Sequence, residues 1–397
     1  MIAQFALDRL KRAAWLKRPE TQAVFALLDG DRGRTRAVGG IVRDTLADRM
    51  RETPEIDFAT ELRPEEVTRR AKAAGVPVYP TGIEHGTVTL KVGDLVAEVT
   101  TLREDVETDG RRARVRFGRD WRRDAERRDF TLNALYARAD GTLVDPLGGA
   151  QDCLDGVVRF IGDADRRIAE DRLRVYRFFR FSASHGHERF DPDGLAAVTR
   201  AAGTLDALSA ERVGGEMRRM LGLPRVSATL VAMGTTGILA FSPDLLDQLG
   251  TYERHARQPN FNARLTLVIA STGIGWPRER WRLSNEEAGT AERTLAAARL
   301  LIEFQINEAA YRYPAVLADA VEVAAALAGW TEAGKSAVLV RLEEIEMVRF
   351  PVSGSDLIAA GMVPGRELGE ELERLERRWI ASSFRLGKAE LLAELKR

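Results

Sequence analysis

The sequence predicts an α+β protein, with a small mixed sheet in its first third and helices from there to the end. Three observations carry this reading. Short apolar runs broken by glycine turns recur between Arg36 and Thr100. Two of them, Gly86–Val92 and Leu95–Thr100, are hinged at Gly93-Asp94, a hairpin signal. From about Asp163 onward the segments are amphipathic and helical, with no fixed-period repeat and no low-complexity linker.

Met1 to about Arg36 reads as helical, carried by Ile2, Phe5 and Ala6 and then by Val24, Leu27 and Leu28, up to a turn at Asp29–Gly33. The sheet begins at Arg36. There Ala37-Val38 meets Gly39-Gly40, and Ile41, Val42, Leu46 and Met50 follow at roughly helical spacing: strand, glycine turn, helix. A second short strand carries Glu55 and Asp57. Arg63-Pro-Glu-Glu-Val67 starts a helix that ends near Gly75, with Pro64 in its first turn and acids behind it. After the hairpin, Arg103–Arg112 is charged, holds one glycine and reads as a mobile surface loop. Arg127–Asn133 opens a helix that Asp129 caps, with Phe130, Leu132 and Leu135 facing inwards. Gly141–Gly149 reads as strand and turns, and Val157–Ile161 as one more short strand. Amphipathic segments then cover Leu195–Ala202, Ala210–Leu221 and Ala291–Ile306. Pro351–Gly365 reads as a helix–turn–helix connection leading into a helix over Leu368–Phe384.

Composition narrows the function. The 397 residues suffice for two or more domains, and 45% apolar with 30% charged is an ordinary soluble balance. Lys+Arg and Asp+Glu both total 60, so any nucleic-acid surface must be local. The single Cys153 excludes an internal disulfide or a cysteine-rich zinc site, and the four histidines form no H-E-x-x-H pattern. No run is long and apolar enough for a membrane span or a signal peptide, which makes a cytoplasmic enzyme the default.

Two stretches carry chemistry. Glycines 39 and 40 let a ligand approach the backbone, and the helix start behind them offers unpaired N–H groups to an anion. Glu55 and Asp57, two apart on a strand, point to one face. A phosphate cradle beside paired carboxylates suggests a metal-assisted nucleotide site. The second stretch is Glu170–Phe181, read as one helix, with Asp171, Arg174, Arg177 and Arg180 on one half and apolar residues over the rest. Six arginines stand against two acids from Arg166 to Arg180. Such buried guanidiniums need partners, either an internal ion-pair network or an anionic ligand. A fixed carboxylate accepts hydrogen bonds and a fixed guanidinium donates them. An Asp171–Arg174 pair therefore matches the amino group and ring nitrogen of cytosine and adenine, and rejects the reversed pattern of uracil and guanine.

In these stretches the chain resembles the class II nucleotidyltransferases, the family of CCA-adding tRNA enzymes and bacterial poly(A) polymerases. The matching residues are Gly39-Gly40-x-Val42-Arg43-Asp44, Glu55-x-Asp57-x-Ala59-Thr60, Glu98-Val-Thr-Thr-Leu-Arg103, Arg127-Arg-Asp-Phe-Thr-Leu-Asn133 and Glu170-Asp-x-x-Arg174. The family has Asp where this chain has Glu55. The resemblance implies a nucleotidyltransferase head (1–140), a neck with the base-reading helix (141–205), a helical body (206–335) and a tRNA-binding tail (336–397). It implies catalytic carboxylates at Glu55, Asp57 and Glu98, with Glu55 and Asp57 holding Mg²⁺. Nucleotide contacts fall on Gly39, Gly40, Arg43, Arg128, Asn133, Asp171, Arg174, Arg177 and Arg180. A flexible element for switching between nucleotides falls on Asp105, Gly110 and Arg111. The expected activity is untemplated addition of C, C and A to tRNA from CTP and ATP, with no membrane and no obligatory protein partner. The alternative is poly(A) addition on the same head.

Overall fold

The computed structural model describes residues 2–49, 55–83, 86–109, 112–346 and 348–395. They form two compact units: residues 1–216 with 228–240, and residues 217–227 with 241–397.

The first unit is built on a seven-stranded sheet. Its strands are β1 (Thr35–Val38), β2 (Ile56–Thr60), β3 (Val78–Gly82), β4 (Thr87–Val92), β5 (Leu95–Thr101), β8 (Tyr136–Ala137) and β9 (Leu143–Val144), in the order β3-β4-β5-β2-β1-β8-β9. Only the β2–β5 pair is parallel. Three helices precede it, α1 (Gln4–Arg12), α2 (Ala14–Lys17) and α3 (Pro19–Leu27), as the N-terminal pattern predicts. One face of the sheet is buried, with Ile56, Phe58, Leu90, Ala97 and Val99 at or below 1% exposure and Phe25 of α3 edge-on to Phe58 at 5.1 Å. The expected glycine turn leads into α4 (Gly40–Leu46), and α5 (Pro64–Ala73) carries its proline in the first turn and Glu65 and Glu66 behind it.

Four expectations are corrected here. Arg103–Arg112 is no loop: β6 (Arg103–Asp109) pairs antiparallel with β7 (Arg112–Phe117), while Gly110 and Arg111 lie outside the described residues. The backbone register runs from Arg103 opposite Phe117 to Asp109 opposite Arg112, with an irregularity between Asp105 and Glu107. Arg127–Asn133 follows a helix, α6 (Trp121–Glu126), and in place of an α-helix holds a single 3-10 turn, Thr131–Asn133; Asp120 caps α6 by accepting from the N–H groups of Arg122 and Arg123. Asp129 caps nothing, because Phe130 is extended and bridges Phe160 with its ring buried. That bridge is all that remains of the strand expected at Val157–Ile161, which instead follows α7 (Gly149–Asp155). Finally, the base-reading stretch is two helices, α8 (Ala164–Glu170) and α9 (Arg174–Ser184). Asp171 is extended between them (φ −151°, ψ 104°), and its Oδ1 accepts from the N–H of Leu173. A short acceptor side chain that bonds its own backbone competes with the helix and breaks it.

The chain continues as α10 (Pro192–Ala201), α11 (Ala210–Leu221) and α12 (Ser227–Thr235). In the second unit lie α13 (Pro243–His255), α14 (Phe261–Thr272), α15 (Gly275–Trp281), α16 (Asn285–Ile302), α17 (Ile306–Arg312), α18 (Leu317–Ala328) and α19 (Glu332–Glu343). Arg264 of α14 is fully buried there. Its guanidinium donates to the carbonyls of Leu221, Leu223 and Pro224 and to Glu253, which satisfies the charge. The last helices, α20 (Gly354–Ala359), α21 (Arg366–Ala381) and α22 (Lys388–Ala393), share a core around Trp379 and Leu375. Among the described residues no helix is long and apolar enough to cross a membrane.

Candidate active site

The sheet register assembles the first group of residues. Tyr79, Thr89, Glu98, Asp57, Val38 and Tyr136 lie side by side on one face, one from each of β3, β4, β5, β2, β1 and β8. Asp57 and Glu98 are thus direct neighbours across the parallel pair, both exposed, and Glu55 stands two residues before Asp57, also exposed. Burial within the cleft, then the like charges of Glu98 and Glu55, push Asp57 up to about 6 against the pull of Arg128.

At the end of β1 the backbone turns through Gly39 at φ +69°, a conformation that suits glycine. Two guanidiniums flank the pair. Arg128 Nη1 lies 3.8 Å from where a Cβ on Gly39 would stand, and Arg43 Nη2 3.8 Å from the equivalent point on Gly40. Neither arginine is loose. Arg43 donates to Asn133 Oδ1 (2.6 Å) and Asp44 Oδ1 (2.8 Å), and Asn133 in turn donates to Asp129 Oδ1 (2.9 Å). Arg128 pairs with Asp124 Oδ2 (3.2 Å), the oxygen that also accepts from the Tyr136 hydroxyl (2.9 Å). Burial alone would raise Asp124, but Arg128, Arg127 and Tyr136 hold it down at about 2. His185 donates to Asp44 (3.0 Å) behind the turn; burial lowers it to about 4, so it is neutral at physiological pH.

The base-reading residues are placed differently from a single helical stripe. Arg174, Arg177 and Arg180 do follow one another along α9, but Asp171 precedes it. Each is engaged. Arg174 Nη1 meets Glu170 Oε2 (2.9 Å) and the Arg167 carbonyl (2.7 Å). Arg177 pairs with Asp129 Oδ2 (2.6 Å), and Arg180 Nε with Glu216 Oε2 (2.5 Å). Asp171 Oδ2 accepts from Arg212 (2.8 Å). The internal ion-pair network is therefore real. It brings in three residues that the sequence reading missed: Asp124, Arg212 and Glu216. Asp124 lies four residues before Arg128, and Arg212 and Glu216 are four apart on α11, the spacing of same-face helical neighbours.

Against this geometry, three comparisons with known proteins agree. Residues 35–159 match the family model described as the poly A polymerase head domain. The chain is 33% identical to the mitochondrial CCA tRNA nucleotidyltransferase 1 of Danio rerio, over 91% of this chain and 86% of that protein. The chain belongs to the CCA-adding enzyme family. It is also 31% identical to the CCA-adding enzyme of Levilactobacillus brevis, over 90% of this chain and 92% of that one. Its fold superposes on the Bacillus stearothermophilus CCA-adding enzyme crystallised with CTP, with a TM-score of 0.76, 27% identity and coverage of 95% and 96%. This CCA-adding family member thus carries the α+β architecture of its relatives along nearly its whole length.

Proposed function

We infer that the protein adds C, C and A, untemplated, to the 3′ end of tRNA, drawing on CTP and ATP and releasing pyrophosphate. The observation that carries the reading is the Asp57–Glu98 pair beside Arg128 and the glycine turn. Like charges held side by side are poised for a cation, and their all-oxygen donors suit Mg²⁺, which takes one or two carboxylates together with substrate phosphates.

Asp57, Glu98 and Glu55 would hold the metal. When bound, Mg²⁺ supplies charge neutralisation at the phosphates and lowers the pKa of the attacking hydroxyl. Arg128 and Arg43, braced by Asp124 and by Asn133 and Asp44, hold the triphosphate over Gly39 and Gly40. The primer's 3′ oxygen attacks the α-phosphorus; its bond forms as the bond from the α-phosphorus to the bridging oxygen breaks, the hydroxyl proton passes to solvent, and pyrophosphate departs with that oxygen. Base choice falls to Asp171 and Arg174. Arg212 and the Leu173 N–H each take one site on the Asp171 carboxylate, which keeps further lone pairs for the base. Arg177, Arg180 and Glu216 keep the helix in place. Residues 336–397 contribute tRNA contacts, and Asp105, Gly110 and Arg111 the element that switches between CTP and ATP.

The test is product analysis with purified protein, Mg²⁺, labelled nucleotides and tRNA lacking its CCA end. Three added residues in the order C, C, A are expected, with UTP and GTP refused. A long adenylate tail, or equal extension of unstructured RNA, would replace the reading with poly(A) addition.

A further inference from the structure

One half of the carboxylate-bearing sheet face is covered and the other is open. Over β2, β1 and β8, the residues Ala59, Val38 and Tyr136 are buried in a cluster with Ala125, Ala134 and Ile161. Over β3, β4 and β5 the same face is open at Tyr79, Lys91 and Val96, while Thr89 is buried in the row between Tyr79 and Glu98. Tyr79 is 50% exposed and Val96 58% exposed, and Lys91 is exposed beside Val96. Tyr79 shares the row of Glu98 and Asp57, two strands from Glu98. At ~4.8 Å per strand that is about 10 Å, the length of about three stacked nucleotides. An aromatic left open on a sheet face, with a cation near it, is the combination that binds single-stranded nucleic acid: a ring for the base and a charge for the phosphate.

We propose that this open half-face seats the last nucleotides of the RNA acceptor strand, with Tyr79 as the stacking platform and Lys91 as a phosphate contact. The proposal rests on the reading of Asp57 and Glu98 as the catalytic centre. It commits to RNA because the face is continuous with those carboxylates, where a primer's 3′-hydroxyl has to arrive.

The experiment measures KM for tRNA lacking its CCA end and KM for CTP, separately, in Tyr79→Ala, Tyr79→Phe and Lys91→Glu. Tyr79→Ala should raise the tRNA KM about tenfold while the CTP KM stays within about twofold, the size expected for one lost base–ring stack. Tyr79→Phe should restore it, since the ring and not the hydroxyl acts. Lys91→Glu should flatten the salt dependence of tRNA binding by about one phosphate contact. An unmoved tRNA KM in a folded, active Tyr79→Ala protein overturns the platform, as does a Phe variant no better than Ala. Should Tyr79→Ala fail to fold, Lys91→Glu decides, and an unmoved salt slope overturns the proposal. A Tyr79→Ala protein that changes its oligomeric state instead would assign the face to protein contact. Failure of the unsubstituted protein to add CMP would sink the activity, and is a separate result.

Discussion

The sheet and the neck handle charge in opposite ways. On the sheet, Asp57 and Glu98 stand side by side, and burial, with the repulsion added to it, pushes Asp57 up to about 6. Around α8 and α9 the charges close into pairs: Arg174 with Glu170, Arg177 with Asp129, Arg180 with Glu216, Asp171 with Arg212. On the proposed reading the first region is completed by a cation. The other is complete and has to be opened, or entered at its edge, by a ligand. A catalytic centre gains from unsatisfied charge, since that charge draws the metal. A selecting surface gains from rigidity, since a side chain that swings freely would accept the wrong base as well as the right one.

Substitutions on the sheet should give the largest effects. Asp57→Ala should lower single-turnover CMP addition on the order of a thousandfold, because the metal's stabilisation of phosphoryl transfer goes with the ligand. Glu55→Ala should fall with it, whatever the Mg²⁺ concentration. Near-normal rates in Glu55→Ala would take that residue out of the ligand set and leave Asp57 and Glu98 in it.

A smaller loss should follow from Asp124, which contacts no substrate. Asp124→Asn removes the charge that braces Arg127, Arg128 and Tyr136, and losing charged hydrogen bonds at roughly 1.5–3 kcal/mol predicts about one to two decades in kcat/KM for CTP. Arg128 should then bind the triphosphate without its orientation. The comparison is therefore with Tyr136→Phe, which deletes one hydrogen bond and should cost less. Equal losses in both would place the tyrosine, not the carboxylate, at the centre of the clamp.

The smallest effect is one of stability and has a defined sign. A carboxyl raised from 3.8 to about 6 on folding takes up its proton more readily in the folded state. Its stabilising contribution is therefore complete below about pH 4 and lost as pH rises through 6. Ionised Asp57 then weakens the metal-free fold by about 1 kcal/mol, after discounting for solvent screening. Denaturant melts without metal should find Asp57→Asn more stable than the unsubstituted protein at pH 7.5, and the gain should vanish near pH 4. A variant that is less stable at both pH values would contradict the repulsion.

The two regions were also unequally legible in the sequence. The sheet could be read because glycines 39, 40 and 93 mark its turns and Pro64 marks the start of α5, all local signals. The carboxylate alternation needed nothing beyond the two-residue period of a strand. Partners across the sequence could not be read. The β2–β5 pairing that joins Asp57 to Glu98 spans 41 residues in register, and the closure of Arg177 on Asp129 spans 48. In the neck, apolar spacing suggested one helix, and the acceptor side chain of Asp171 overrode it. The β6–β7 hairpin was hidden for a related reason: its strands are patterned by charge, and charge alternation resembles a solvated loop. Helix α6 did have a signal, the Asp120 cap before Trp121-Arg-Arg, but the arginine motif after it drew the reading too far along the chain.

On the proposed reading labour is divided, with chemistry on the sheet and base choice at Asp171 and Arg174. It is tested most directly by single-turnover incorporation of each of the four nucleotides by Asp171→Ala. The surviving Arg174 can still donate to the carbonyls of UTP and GTP, so discrimination against them should fall by about one to two decades, the value of one charged hydrogen bond. CMP addition at subsaturating CTP should fall by the same one to two decades and stay well above that of Asp57→Ala. An Asp171→Ala protein that refuses UTP and GTP as firmly as before, or that loses CMP addition as completely as Asp57→Ala does, would contradict the account.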